Sequence, residues 1–322
     1  MAVPSAHRSV VEAWLSLFPA RRPGGVACLQ EESRSAVYRL DGVAPDGGAV
    51  IAKRSTESVV ETETAIYRYI LPHVGVTTLE FLGWVDAGRG YRWMYLEDAG
   101  GVAYRPRNSM HATLAGVWLA RVQSRAAALL DSVQLPDRSM ALYTQHLVKA
   151  RQGLRGALEL EVLADWGHRL VAVTDGLDAL ASRWDSIELL SSRMPPTLVH
   201  GDFVSKNVRV RSAADGHSLH AMDWELAGWG IGAVDLPFVD REAYAAAVDR
   251  SWWKAPADAV TVLADLGRIL RAVVSVSWAI DELGGAEGVP VERIESWIDS
   301  LVESIAIYAT SAHRSLVNLG LE

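Results

Sequence analysis

The sequence predicts an α+β protein in which a small antiparallel sheet lobe precedes a larger helical lobe. Three observations lead there. The first hundred residues read as short β-rich runs separated by turn signals, helical periodicity dominates after Gly100-Gly101, and one β-like island, Thr197 to Trp224, interrupts the helical half. The chain has 322 residues, 50% hydrophobic and 22% charged, which is ample for a real core and excludes disorder as a description of the whole.

The elements follow in order. A strand-like stretch over 26–30 leads to Ser35–Asp41, and Pro45-Asp46-Gly47-Gly48 turns the chain into a return strand, Ala49–Lys53. Residues 59–71 read as a helix closed by Pro72. Leu79–Asp86, the turn Ala87-Gly88-Arg89-Gly90 and Tyr91–Leu96 make a second hairpin. Together these give about five short antiparallel strands with one helix after the third. Helical patterns then cover roughly 108–131, 139–155, 160–192, 234–250, 256–284 and 290–311. The boundary is placed between residues 1–99, the sheet lobe, and 100–322, the helical lobe, with a cleft between them. Within the island, Asp215-Gly216 suits a turn that pairs 208–211 with 219–223 and returns Asp223 to the neighbourhood of Asn207.

Charge and cysteine content narrow the function. Lys and Arg total 31 against 39 Asp and Glu, a net charge of −8, so a general nucleic-acid binder is disfavoured and cationic small molecules are compatible partners. Cys28 is the single cysteine, which excludes an intramolecular disulfide and a thiolate metal cluster. The first eight residues lack a signal-peptide core, and no apolar run approaches the roughly 18 residues of a membrane helix. The expectation is a cytoplasmic protein, monomer or homodimer, with no membrane and no nucleic-acid partner.

The island carries the chemistry. Asp202, Asn207 and Asp223 sit at the ends of apolar strand-like segments, where a rigid scaffold presents reactive groups. Mg²⁺ takes hard oxygen ligands, usually one or two carboxylates with phosphate oxygens and water, and Asp223 and the Asn207 amide are such ligands. Asp202 is suited to orient a hydroxyl and accept its proton. Glu225, two residues beyond Asp223, shares its face if the strand continues.

His200-Gly201-Asp202 with Asn207, followed by Asp223-Trp224-Glu225 and Gly228…Asp235-Leu236, resembles the aminoglycoside phosphotransferase and choline-kinase-like superfamily. The resemblance implies a protein-kinase-like bilobal fold and small-molecule kinase activity. It implies Asp202 as catalytic base, Asn207 and Asp223 as magnesium ligands, and Lys206 facing the phosphates of ATP, with GTP left open. Read on their own residues, Asp235 is a helix N-cap with Pro237 in the first turn, and His200 is a satisfied structural histidine.

The sheet lobe supplies a matching half. A phosphotransferase of this kind needs a lysine on the phosphates and a carboxylate to hold it. In Val50-Ile51-Ala52-Lys53 the period of two puts Ile51 and Lys53 on one face, against adenine and phosphate respectively. Glu63 shares a helical stripe with Ile66, Tyr67 and Ile70, so it is an inward carboxylate in want of a partner, and Lys53 is assigned that role; Glu61 falls on the outward face. Tyr91–Leu96 followed by Glu97-Asp98-Ala99-Gly100 resembles the family's inter-lobe hinge, whose backbone near Glu97 and Ala99 would bind the base. Two departures stand out. Gln30-Glu31-Glu32-Ser33-Arg34-Ser35 has no glycine, so if this loop cradles phosphate, Ser33, Arg34 and Ser35 do so through amides, hydroxyls and charge, and Gln123 stands where members often have histidine.

Substrate choice is assigned to the helices after 240. Trp252, Trp253, Trp278 and Trp297 and the acidic Asp281, Glu282, Glu287, Glu292, Glu295 and Asp299 suit a cationic hydroxyl compound, with Glu225, Asp281 and Glu282 as candidate contacts. Most of these tryptophans are also expected in the core. The expected activity is ATP-dependent O-phosphorylation of an aminoglycoside, other antibiotic or amino sugar. Alternatives are a choline- or ethanolamine-type kinase and a nucleotide-binding pseudokinase scaffold. A peptide-directed kinase is disfavoured, because Gly201 replaces the usual arginine and no APE-type segment follows Asp223.

Overall fold

The computed structural model describes residues 5–32, 35–214, 216–254, 258–284 and 291–321. It opens with a helix the sequence reading did not anticipate, α1 (Ser5–Leu17). Its apolar signal is short: Val10 and Trp14, one turn apart, are both fully buried. The strands β1 (Gly25–Glu31), β2 (Ala36–Asp41) and β3 (Val50–Thr56) follow, then the hairpin β4 (Phe81–Gly88) and β5 (Tyr91–Glu97). They form one antiparallel sheet in the order β1-β2-β3-β5-β4. In β3, Val50 and Ala52 bury against α1 in a cluster with Tyr38, Leu40, Trp93 and Tyr95, which leaves Ile51 and Lys53 on the opposite face.

The helical segment after β3 outruns its expected end. It comprises α2 (Glu57–Ala65), a π turn over Ile66–Ile70, and α3 (Leu71–Val74), stopped by Gly75 in the left-handed region. Pro72 does not close it, because the π turn restarts the helix and places Pro72 in the first turn of α3, where its missing N–H costs nothing. Val60, Ile66, Tyr67 and Ile70 from this segment join the main core of the helical half, so the helix that carries Glu63 is packed between the two lobes.

The chain then crosses through β6 (Val102–Ala103) into α4 (Ser109–Ala126), β7 (Asp137–Arg138) and α5 (Met140–Ala157). The expected long helix over 160–192 is broken into a 3₁₀ turn, α6 (Gly167–Ser182) and α7 (Trp184–Ser191). The island contains β8 (Thr197–Val199), β9 (Val208–Ala213), β10 (Gly216–Ala221) and β11 (Gly228–Gly230). β9 and β10 pair with Val208 opposite Ala221, the expected hairpin, and β6 joins β9 on its other edge. β7, β11 and β8 make a third small sheet. The expected helix over 234–250 is instead a 3₁₀ segment, Gly232–Phe238, and α8 (Arg241–Ala247); Pro237 lies inside the first, and an extended Val239 with the Asp240 N-cap separates the two. Two long helices, α9 (Ala259–Gly284) and α10 (Val291–Asn318), complete the lobe. Among the described residues no helix is long and apolar enough to cross a membrane.

Candidate active site

Four backbone devices aim the polar groups. Lys53 projects from β3 toward α2, and its Nζ lies 2.6 Å from Glu63 Oε1, the pairing expected from the helix stripe. Glu63 is fully buried, and burial pushes its carboxyl up to about 7 against the opposing charge of Lys53. Burial would lower the Lys53 ammonium, yet Glu63, Asp223 and Glu225 together hold it above its ordinary value. Glu61 is outward as expected and bonds Arg92 at 2.8 Å.

Lys53 also contacts Asp223 Oδ1 directly, across 170 residues of sequence, and so ties the sheet lobe to the island. Asp223 adopts φ +64°, a strained conformation for a residue with a side chain. The extended run therefore ends at Ala221, and the expectation that Glu225 shares a strand face with Asp223 fails. Glu225 nonetheless reaches within 3.7 Å of Lys53, and burial and Asp223 raise its carboxyl above the ordinary range.

The loop before β9 holds the second device. Asn207 donates from Nδ2 to Asp202 Oδ2 at 2.9 Å and to the Asp202 carbonyl at 3.0 Å. That spends the amide nitrogen on Asp202 and leaves the amide oxygen as an acceptor. The Asn207 carbonyl accepts from Met222 N–H at 2.9 Å, which locks the loop to the strand leading into Asp223. Lys206 lies 3.0 Å from Asp202 Oδ2, so it touches the carboxylate expected to act as base.

Asp235 supplies the third. It is buried inside the 3₁₀ segment and is not a helix N-cap: its two oxygens accept from His200 N–H at 2.7 Å and Gly201 N–H at 3.1 Å. The capping pattern in the sequence is local, whereas its actual donors lie 34 and 35 residues away. His200 is structural, as expected. Its Nε2 meets the Met222 carbonyl at 3.1 Å, its ring lies 4.4 Å from Trp224, and burial pushes its pKa down to about 4. The neutral imidazole thus accepts Asp202 N–H on Nδ1 at 3.3 Å.

The fourth is Arg211, which the sequence reading missed. From β9 it bonds Glu97 Oε1 at 2.6 Å, the Asp98 carbonyl at 2.7 Å and the Ala99 carbonyl. One arginine thereby anchors the whole connection from β5. Ala99 is buried, and among the described residues its N–H has no hydrogen-bond partner. Nothing local in the sequence marks Arg211, because its targets lie more than a hundred residues upstream.

Beside Asp202 opens a cavity of about 880 Å³ lined in part by Tyr143, Phe238, Arg271, Trp278 and Glu282. Arg271, from α9, is a second missed residue: it reaches Asp202 Oδ1 at 3.4 Å and the Gly201 carbonyl at 3.3 Å. Of the acidic residues proposed for substrate, Glu282 is on the wall, but Asp281 is turned aside and engaged by Lys149. The two point about 100° apart around α9, and the ion pair with Lys149 on α5 holds Asp281 on the other side. Asp299 is likewise bound, to Trp166 Nε1 at 2.6 Å. Trp253 is core and donates to the Arg193 carbonyl, while Trp278 is exposed on the cavity. Ser33 and Arg34, and the side chains of Glu287, Glu292, Glu295 and Trp297, lie outside the described residues. Ser35 sits at the β1–β2 turn, where its carbonyl accepts from Glu32 N–H at 2.8 Å, and no described hydrogen bond links it to Lys53, Asp202 or Asp223. Gln123 is a buried strut between Gly232 and Tyr244.

Known proteins share the fold. The model of the phosphotransferase enzyme family APH matches residues 31–271. The fold is similar to that of the GDP complex of wild-type aminoglycoside 2′-phosphotransferase-IIIa, at TM-score 0.62 and 14% identity over 96% of this chain and 99% of that one. It is similar to spectinomycin phosphotransferase in complex with ADP and spectinomycin, at TM-score 0.61 and 13% identity over 97% and 99%. Choline kinase from Cryptosporidium parvum Iowa II aligns at TM-score 0.56 and 8% identity over 92% and 91%. No curated protein matches. With most of its length matched by the family model and its polar residues converging on one inter-lobe site, the chain belongs to the APH phosphotransferase enzyme family, whose members of similar structure are small-molecule kinases.

Proposed function

We propose that this enzyme transfers the γ-phosphoryl group of ATP to a hydroxyl of a small molecule bound in the cavity beside Asp202. The convergence of Lys53, Glu63 and Asp223 with Asp202 and Asn207 carries this reading, because a nucleotide binder has no use for a positioned base. Residues 1–99 would hold the nucleotide and 100–322 the acceptor. The unpartnered Ala99 N–H and the backbone of Glu97 suit the edge of a base, and Arg211 keeps that segment in place. The solved relatives carry GDP or ADP, which supports a purine nucleotide and leaves ATP against GTP to measurement.

The donor set fits a magnesium ion. The amide oxygen of Asn207 and the second carboxylate oxygen of Asp223 are hard acceptors, and Lys53 already occupies the first Asp223 oxygen. When bound there, Mg²⁺ would neutralise charge on the phosphates. Lys53, held by Glu63, would pair with the α- and β-phosphates, and Lys206 is exposed enough to swing toward the γ-phosphate. Asp202, oriented by Asn207, would accept the alcohol proton as its oxygen bonds to the γ-phosphorus and the bond to the β–γ bridging oxygen breaks, releasing ADP.

The test is an ADP-release screen with ATP and GTP over aminoglycosides, other hydroxylated antibiotics, choline, ethanolamine, amino sugars and hydroxy acids. For a confirmed acceptor, Asp202→Asn should lower kcat by about 10²–10⁴-fold with nucleotide affinity retained. Undiminished turnover would remove Asp202 from the role of base, and nucleotide binding without turnover across the panel would favour a scaffold.

A further inference from the structure

The cavity beside Asp202 has cationic walls. Among the described residues Arg138, Lys206, Arg268 and Arg271 line it, against the carboxylates of Asp202 and Glu282. Three of those cations are already answered. Lys206 and Arg271 flank Asp202 at 3.0 and 3.4 Å, and Arg268 bonds Asp265 at 2.6 Å within its own helix. Arg138 is different. Its Nε donates to the Leu226 carbonyl at 2.7 Å, yet it makes no ion pair with any described carboxylate. The adjacent Asp137 turns back onto the Ser139 N–H and hydroxyl, both at 2.8 Å. Burial draws the Arg138 pKa downward, so this guanidinium is desolvated without being neutralised.

Much of the remaining wall is apolar and aromatic, with the polar side chains of His146, Ser275 and Ser304 set among it. Phe238 and Trp278 are 37% and 43% exposed on the cavity, and the Arg271 guanidinium lies 5.3 Å from the Phe238 ring centroid. A polycationic acceptor would bring ammonium groups against Arg138, Arg268 and Arg271. An acceptor with an anionic group would instead complete the unpaired charge of Arg138 and lay its carbon skeleton on Phe238 and Trp278.

We propose that the alcohol taken by this cavity bears its own anionic oxygen group, a carboxylate or a phosphate ester, on an apolar or aromatic body, and that Arg138 anchors that group. The proposal rests on the phosphotransferase reading for turnover but not for binding, and the two are separable. Calorimetric titration of the ADP-loaded protein compares aromatic and aliphatic hydroxy acids, their methyl esters, phosphate-ester alcohols and polyamine-bearing amino sugars, and ADP release is measured on the same compounds. The expected result is an acid or phosphate ester that binds about tenfold or more tightly than its neutral counterpart, a difference that Arg138→Gln abolishes. Whether the carboxylates or the phosphate esters bind more tightly identifies the anion. If Arg138→Gln does not fold, the acid-to-ester ratio on the unaltered protein still decides. Equal binding of acid and ester, tighter binding of the amino sugars, or no binding of any anionic compound would overturn the proposal. Charge-dependent binding with no ADP release would uphold it while refuting the phosphotransferase reading.

Discussion

Gly201→Ala is the most direct test of how the island holds Asp202. Gly201 has φ +81°, and an added Cβ would lie 2.6 Å from the Leu226 carbonyl oxygen and 3.0 Å from the Leu226 Cβ. The peptide cannot rotate away cheaply, because its N–H is held by Asp235 at 3.1 Å and its carbonyl by Arg271 at 3.3 Å. The left-handed backbone costs about 1–2 kcal/mol with a side chain, and forcing a contact of this kind costs about 1–3 kcal/mol. Reduced freedom of the unfolded chain returns about 0.5 kcal/mol, leaving a net loss of about 2–4 kcal/mol. At roughly 2–4 °C per kcal/mol, Tm should fall by about 4–16 °C. Whatever the loop does to relieve the contact displaces Asp202, so kcat should fall by about 10²-fold, with nucleotide KM little changed. Gly176→Ala is the matched control: it lies inside α6 with nothing within 4 Å of an added Cβ, and it should raise stability by about 0.5–1 kcal/mol. Differential scanning fluorimetry and ADP release on both variants decide. If Gly201→Ala matched the control in Tm and rate, the strained-loop account of the base would be wrong.

His200 supplies a pH signature. Its folded pKa of about 4 lies below the unfolded value near 6.5, so the unfolded state binds more protons between those values. Its contribution, about 3 kcal/mol, is therefore complete above pH 6.5 and is lost as pH falls through about 4. Urea unfolding of the unaltered protein should weaken relative to His200→Gln across that window, and parallel profiles would refute the neutral, buried assignment. Arg211→Ala should raise the KM for nucleotide about tenfold and leave that for the alcohol unchanged, since among the described residues the Arg211 guanidinium donates its hydrogen bonds to Glu97, Asp98 and Ala99. Because Arg211 and Glu97 are partly exposed, the accompanying stability loss should be only about 1–2 kcal/mol. Steady-state kinetics in both substrates checks the first effect and thermal unfolding the second.

Local pattern determined much of this protein. Period two in Val50–Lys53 set the face of Lys53, period 3.6 set the inward stripe of Glu63, and Asp215-Gly216 marked the turn between β9 and β10. These signals are legible because each depends on residues within one or two turns of chain. The order His200-Gly201-Asp202, Asn207 and Asp223-Trp224-Glu225 likewise marks a candidate site within the sequence itself. Tertiary structure alone decided that Asp235 clamps the backbone at His200 and Gly201, that Arg211 fastens the segment from Glu97 to Ala99, and that Asp281 turns to Lys149 and away from the cavity. It alone gathered Arg138, Arg268 and Arg271 around one cavity. The physical reason is the same in each case: an ion pair or a buried hydrogen bond is chosen by which groups meet once the core has closed, and partners dozens of residues apart leave no periodic trace in the chain.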